Sequence, residues 1–144
     1  ENIKKPFEVK RVAWLEASEA IKAIRLNVLI NEQGVDEEIE WDGLDEEAWH
    51  WLALGPKKKG IATARLLKSG QIGRMAVEKQ FRFQGIGSAI LRDILKSAKD
   101  LNMESVFLHS QSKATKFYEK FNFSSDGKEF LEADILHVKM NKKF

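Results

Sequence analysis

Lys79, Arg82, Gly85 and Gly87 fall within ten residues, KQFRFQGIGS, that lead straight into AILRDILKSA, a run whose apolar positions repeat at helical spacing. Glycine weakens a helix interior, so two glycines at a helix mouth ask for a reason beyond propensity. Phosphate binding supplies one. The N–H groups of a first helical turn lack intrahelical partners, and the helix dipole adds partial positive charge there. Glycine removes the Cβ atoms that would hold an anion away, while Arg82 and Lys79 can add charge-assisted hydrogen bonds. The other reading of the same residues is a turn that only tightens packing between a strand and the helix. Two familiar phosphate loops do not fit. No GxxxxGK[ST] stretch exists. GIGSAI lacks the third glycine of a dinucleotide-binding turn, and it follows the fourth predicted strand instead of the first.

The elements that must position this turn follow from periodicity. FEVKRVAWL, from Phe7, alternates apolar and polar residues and predicts a strand. Ser18 is placed to cap a helix with Ile21, Ile24, Val28 and Leu29 on its apolar face, and Gly34 to end it. WHWLAL and GIATARLL flank the turn signal GPKKKG and predict a hairpin, with QIGRMAV as the next strand after Ser69-Gly70. A helix over residues 85–101 carries Ile86, Ile90, Ile94 and Ala98 four apart, with Leu91 and Leu95 on the adjacent row. ESVFLHS predicts a strand, SKATKFYEKF a short helix, and residues 121–125 and ADILHVKM two final strands. This order predicts a single domain, residues 1–144, of the α/β class, with a mixed sheet and helices on its faces.

Composition narrows the partners. At 144 residues, 43% hydrophobic and 32% charged, the chain has the make-up of a globular protein with its own apolar core. No run approaches the ~20 apolar residues needed to cross a bilayer, so no membrane partner is expected. A net charge of +2 is too small to imply nucleic acid. The absence of cysteine excludes disulfides, thiolate metal ligands and a cysteine nucleophile, and it fits a cytoplasmic location. Charge is unevenly spread. Nine acids and no Lys or Arg lie between Glu32 and Glu47, whereas eight bases and one acid lie between Lys57 and Arg82. One side of the molecule would then suit a cation and another an anion, unless both are simply solvated surfaces.

MAVEKQFRFQGIGSAIL resembles motif A of the GNAT superfamily of N-acetyltransferases, signature [RQ]xxGx[GA], with Arg82, Gly85 and Gly87 at the three signature positions. ATKFYEKFNF resembles the family's second block, AxxxYxxxGF, through Ala114, Tyr118 and Phe123. The resemblance extends over nearly the whole chain, and NEQGVDEEIEWDGLDEEAWH, LHSQ and FLEADILHVKM look like the small bacterial ElaA-like branch. Two positions depart from the pattern. Phe83 stands where many relatives have a second glycine, and Asn122 replaces the glycine before Phe123, a position where asparagine tolerates φ > 0.

The resemblance implies a GNAT-like fold, its mostly antiparallel sheet splayed in the middle, and transfer of an acetyl group from acetyl-CoA to a primary amine, with no metal. It assigns the pantetheine arm to backbone groups of Met75, Ala76 and Val77. It assigns the pyrophosphate to backbone N–H groups of Phe83, Gln84, Gly85, Ile86, Gly87 and Ser88, with Arg82 beside them. Gln111 falls where many relatives carry a cofactor-binding asparagine. Tyr118, the only tyrosine, falls where relatives protonate the departing thiolate, and a phenol suits that task. The base that deprotonates the amine is less defined. Some relatives place a glutamate early in the strand before motif A, where this chain has Gln71, Gly73 and Arg74. His109 and Glu32 are the leading candidates, ahead of His50 and His137. The acidic segment, with Trp41, Trp49 and Trp51, would favour a cationic acceptor. An exposed edge strand near the C-terminus would be available for a homodimer. Two other functions remain open on the sequence: a non-catalytic acyl-CoA-binding module, and a nucleotide-binding domain unrelated to CoA.

Overall fold

A computed structural model describes residues 6–144. Strand β1 (Glu8–Val12) is followed by helix α1 (Trp14–Arg25), which continues as a wider π-helical stretch over Leu26–Glu32. A short helix α2 (Glu37–Glu40) lies inside the acidic segment. Strands β2 (Trp49–Leu54), β3 (Gly60–Leu66) and β4 (Gln71–Val77) form an antiparallel series, and α3 (Ile86–Asp100) follows. The chain closes with β5 (Ser105–Gln111), the short α4 (Thr115–Glu119), β6 (Ser124–Glu132) and β7 (Ile135–Lys143). All seven strands join one sheet in the order β1-β2-β3-β4-β5-β7-β6. Every pairing is antiparallel except β4 with β5.

The sheet separates two apolar layers because successive side chains on a strand point to opposite faces. On β2, Trp51 and Ala53 join α3 residues Ile86, Ile90, Leu91, Ile94 and Ala98, while Leu52 packs with Ile21, Ile24, Val28 and Leu29 of α1 and its extension. One buried polar bond ties the larger layer together: the Trp51 Nε1–H, on a fully buried ring, donates to Asp93 Oδ2 of α3 at 2.7 Å.

Three boundaries differ from the sequence expectation, each for a physical reason. α1 starts at Trp14, four residues before Ser18, with Ala13 as an N-cap that offers no side-chain bond. Trp14 belongs to the helix because its ring packs against His50 of β2, at 4.8 Å between centroids. The acidic segment is not an open loop: Asp36 caps α2 by accepting from the Glu38 N–H at 2.8 Å. β6 begins at Ser124 and runs to Glu132, where the expected strand ended at 125, and Ala133 and Asp134 are the turn into β7 instead of the strand's first residues. Both turn residues have positive φ (51° and 61°), the geometry of a two-residue hairpin. Gly34, φ 76°, ends the first helical stretch as its composition requires, and Asn122 adopts φ 67°.

Asp93→Ala should leave the Trp51 N–H buried without an acceptor and destabilise the fold by roughly 1–3 kcal/mol. Urea unfolding checks this: the midpoint should fall while the slope stays unchanged.

Candidate active site

The site begins with a bulge. Between the pairs Thr63↔Ala76 and Arg65↔Gly73, two β4 residues oppose one on β3. Arg74 sits at this bulge with φ 52°. A bulge bends its strand and sharpens the local twist, and here it turns β4 away from β5. The two strands pair only at Gln71↔Phe107 and Ile72↔Leu108. Beyond Ile72 the sheet opens into a V whose arms are Gly73–Val77 on one side and His109–Gln111 on the other. Backbone groups on the β4 arm thus face a gap instead of a partner strand.

At the end of β4 the chain turns into α3 through Gly85, which has φ 83° and ψ 9°. No side chain caps this helix. Among the described residues, the backbone N–H groups of Phe83, Gln84, Gly85 and Ile86 make no hydrogen bond. Phe83 holds φ 63° with its side chain fully in solvent, which explains why glycine would be the easier residue there. Gly87 bears on the packing reading of the glycine turn. A Cβ built on it would meet Met75 Sδ at 3.8 Å and Phe117 Cζ at 3.9 Å, ordinary van der Waals separations. Neither packing nor backbone conformation requires glycine at position 87.

Arg82 closes the mouth from the side. Its Nε–H donates to the Val77 carbonyl at 2.9 Å, and its Nη1 and Nη2 clasp the Glu32 carboxylate at 2.5 and 2.6 Å. The Arg82 hydrogen bond holds the Glu32 carboxyl below the usual carboxylate range, and Glu32 raises Arg82 in return.

The open V continues into a cleft of about 680 Å³ between α1's extension, the acidic segment, β4, β5, α4 and the β6–β7 turn. Leu29, Val35, Ile39 and Leu44 give it an apolar wall. Tyr118 lines it from α4, with Phe117 edge-on at 5.0 Å and Phe123 at 6.1 Å. Burial raises the Tyr118 phenol above its ordinary value, so it stays protonated at neutral pH. Its hydroxyl has no protein partner among the described residues. His109, Gln111, Glu132 and His137 line the opposite wall. Gln111 Nε2 donates to Gln33 Oε1 at 3.3 Å, and His109 Nδ1 lies 2.9 Å from Glu132 Oε1.

Known proteins are similar to this chain in sequence and fold. Residues 17–144 match the family model described as the acetyltransferase (GNAT) domain. The chain belongs to the GNAT acetyltransferases.

This GNAT domain is 34% identical to the uncharacterized N-acetyltransferase YjcF of Bacillus subtilis over 122 residues, 83% of the chain and 87% of the relative. It is 33% identical to the uncharacterized protein YyaT of the same organism over 143 residues, covering 95% and 96%. Among solved structures it superposes on an acyl-CoA N-acyltransferase from Pseudomonas aeruginosa with a TM-score of 0.82 at 27% identity, covering 96% and 99%. Escherichia coli ElaA shares the fold with a TM-score of 0.85 at 22% identity, covering 96% and 100%. The expected GNAT-like fold is therefore the one observed, and the protein is an acyltransferase whose family uses an acyl-CoA cosubstrate.

Within the GNAT domain the acidic segment is not a set of free carboxylates. Arg25, fully buried, donates from Nε to Glu40 Oε2 and from Nη1 to Asp45 Oδ1, both at 2.7 Å, and from Nη2 to the Glu40 carbonyl at 3.0 Å. Arg65 bridges Asp45 at 2.9 Å and binds Asp42 closely. Arg74 reaches Glu40 and Asp42 at 3.1 Å. Three arginines from α1, β3 and β4 thus neutralise three of the nine acids and fold the segment against the sheet. The sequence expectation missed these arginines because they lie 15 to 34 residues from their partners. The only available signal was an arginine among apolar neighbours, as in AIRLNVL and ATARLL. Glu132 and the position of the β6–β7 turn were also missed, since EAD carries no glycine to mark a hairpin. Of the other histidines, His50 is buried outside the cleft, where burial lowers its pKa and its Nε2–H donates to the Asp45 carbonyl at 2.8 Å. His137 lies in the cleft, donating from Nδ1 to the Ile135 carbonyl at 2.7 Å. Among the described residues no group of three or more acids and histidines is placed to hold a metal, and no helix is long and apolar enough to cross a membrane.

The arginine network sets an acid limit. Burial alone would raise the Asp42 carboxyl, but hydrogen bonds from Arg65 and the Leu44 N–H, with the charges of Arg65 and Arg74, hold it at about 2. Asp45 is lowered in the same way by Arg25 and Arg65 against its own burial. A carboxylate whose folded pKa lies below its unfolded value stabilises the fold above the unfolded pKa and loses that contribution as pH falls through the folded one. Melting temperature should therefore begin to fall below about pH 6.5, where unfolding lets the buried His50 take up a proton, and fall further between roughly pH 4 and 2 as Asp42 and Asp45 are protonated. Asp42→Asn should reduce that acid-dependent loss by about 1 kcal/mol, a figure discounted for partial exposure. Calorimetric melts of both proteins across that range check it.

Proposed function

We propose that this protein transfers an acetyl group from acetyl-CoA directly to a primary amine. The observation that carries this reading is the uncapped mouth of α3, where the N–H groups from Phe83 to Ile86 make no hydrogen bond among the described residues, continuous with the unpaired arm of β4. The residues fit the cosubstrate. N–H groups of Phe83 to Ser88 would hold the pyrophosphate at the positive end of α3. Backbone groups of Met75, Ala76 and Val77 would hold the pantetheine arm as an added strand. The Val77 carbonyl is taken by Arg82, which leaves the remaining backbone groups of that arm to act. Arg82 acts by fixing the mouth through Glu32 and Val77 more than by meeting phosphate as a free cation. This ion pair also removes Glu32 from service as a base, since a lowered carboxyl is a poor proton acceptor. His109 takes that role, and Gln111 stays as a polar contact at the end of β5.

The cosubstrate supplies the acyl thioester. The protein supplies proton transfer in both directions: the amine loses one proton to His109 before attack, and Tyr118 protonates the sulfur as the carbon–sulfur bond breaks. The proton that leaves nitrogen as the amide forms restores the phenol. Starting from an ammonium acceptor, one proton goes to solvent and one ends on the thiol.

The acceptor follows from the cleft walls. Glu40, Asp42 and Asp45 are committed to arginines, so they give little net attraction for a polycation. Leu29, Val35, Ile39 and Leu44 favour a single amine on an apolar body.

Thiol release from acetyl-CoA across an amine panel tests the activity; no release with any amine would overturn it. Gly87→Ala should leave thermal stability equal or up to about 1 kcal/mol higher, because alanine is the better helix former. Its acetyl-CoA affinity should stay within about twofold, since alanine fits the signature position, whereas Gly87→Asp, which sets a carboxylate at the mouth, should weaken binding by about tenfold or more in calorimetric titration. Tyr118→Phe should lower kcat by roughly a hundredfold, with acetyl-CoA affinity within about twofold of the parent.

A further inference from the structure

We infer that Glu132 is a positioning residue for His109, holding the imidazole with its proton on Nδ1 so that Nε2 presents a lone pair to the acceptor amine. This rests on the acetyltransferase reading above and adds a residue to it.

Strand register brings the two together. In β5–β7, Gln111 opposes His137, and in β6–β7, Phe130 opposes His137. Residues two apart share a face, so His109, His137 and Glu132 all project into the same wall of the cleft. The tight turn at Ala133 and Asp134 ends β6 at Glu132 and leaves that carboxylate at the cleft. Its Oε1 lies 2.9 Å from His109 Nδ1. A carboxylate only accepts, so Nδ1 carries the hydrogen. The other oxygen, Oε2, lies 3.8 Å from His137 Nε2, and His137 is itself fixed by its Nδ1–H bond to the Ile135 carbonyl. Phe130 meets the His109 ring edge-on at 5.1 Å and Phe107 flanks it at 6.1 Å, which limits its rotation. His109 Nε2 has no protein partner among the described residues.

Charge around the ring is mixed. Lys139, directly opposite on β7, places its ammonium over Phe107 at 4.6 Å, while Arg74 and Tyr118 face the cleft from β4 and α4. Glu132 remains 47% exposed and His109 27%. A pair so open to water adds little to stability, and its value lies in selecting one tautomer. An untethered neutral imidazole divides between two tautomers, only one of which has the lone pair on Nε2. The carboxylate removes that loss, and the proton that Nε2 takes from the amine then passes to solvent.

Two measurements test this. Long-range proton–nitrogen NMR of the ¹⁵N-labelled protein without substrate, with His109 assigned through His109→Gln, reads the tautomer. Wild type and Glu132→Gln, whose amide oxygen still accepts, should keep the proton on Nδ1, whereas Glu132→Ala should shift it toward Nε2. A wild-type ring protonated on Nε2, or no change in Glu132→Ala, overturns the assignment. With an amine found active in the panel, Glu132→Ala should lower kcat/KM roughly tenfold to a hundredfold. Its melting temperature should be unchanged, and it should cost nothing further in a His109→Ala background. An equal loss in both backgrounds overturns it. If no amine reacts, the parent reading fails, while the tautomer measurement still decides the Glu132–His109 tie.

Discussion

A single extra residue in β4 determines the shape of the working half of this molecule. Had β4 continued in register from Ile72, its N–H and C=O groups would have been consumed by β5, as backbone groups in a sheet interior are. The bulge at Arg74 ends that pairing after two residues and leaves an unfilled ladder inside the sheet. Everything placed around the gap depends on it. β4 delivers the chain to the mouth of α3, β5 carries His109 and Gln111 along the far arm, and α4 sets Tyr118 at the cleft between them.

The same residue links backbone strain to electrostatics. Arg74 adopts a left-handed conformation that costs about 1 kcal/mol or more for a side chain with a Cβ, and its guanidinium joins the network of Arg25, Arg65, Glu40, Asp42 and Asp45. Burial lowers the Arg74 pKa, and Glu40 and Asp42 offset part of that. The network holds the acidic segment over the sheet, so the cleft's roof and its split floor share a common anchor. Buried ion pairs of this kind are weak evidence of net stability, because desolvation opposes the attraction. Their effect here is to fix where Ile39, Leu44 and the segment between them lie.

Much of the fold was legible in the sequence because its signals are local. The periodicity of residues 85–101 specified α3 to within a residue, and the turn signals GPKKKG and SG separated β2, β3 and β4. The entry into α3 was legible too, since glycines before an amphipathic run mark a strand-to-helix turn. What could not be read depends on distant partners. Alternation through FEVKRVAWL extends to Trp14, yet Trp14 starts a helix, because a ring on His50, thirty-six positions away, competes with the local pattern. The charge of Asp45 looked free until Arg25 and Arg65 arrived from two other elements. Glu132 stayed invisible because its partner is specified by strand register, and the turn that sets that register uses alanine and aspartate in a conformation usually left to glycine or asparagine.

The opened ladder also bears on association. Unpaired strand edges recruit other chains, and proteins protect them with charge, bulges or cover. This sheet has two outward borders, β1 and β6, and two inward ones along the V. β6, mostly solvent-exposed, carries Asp126, Lys128, Glu129 and Glu132, a row of charges that discourages casual pairing. The inward borders need no such defence. Each is walled by the opposite arm, so a folded neighbour cannot enter, whereas a slender chain of methylenes and amides is not shut out.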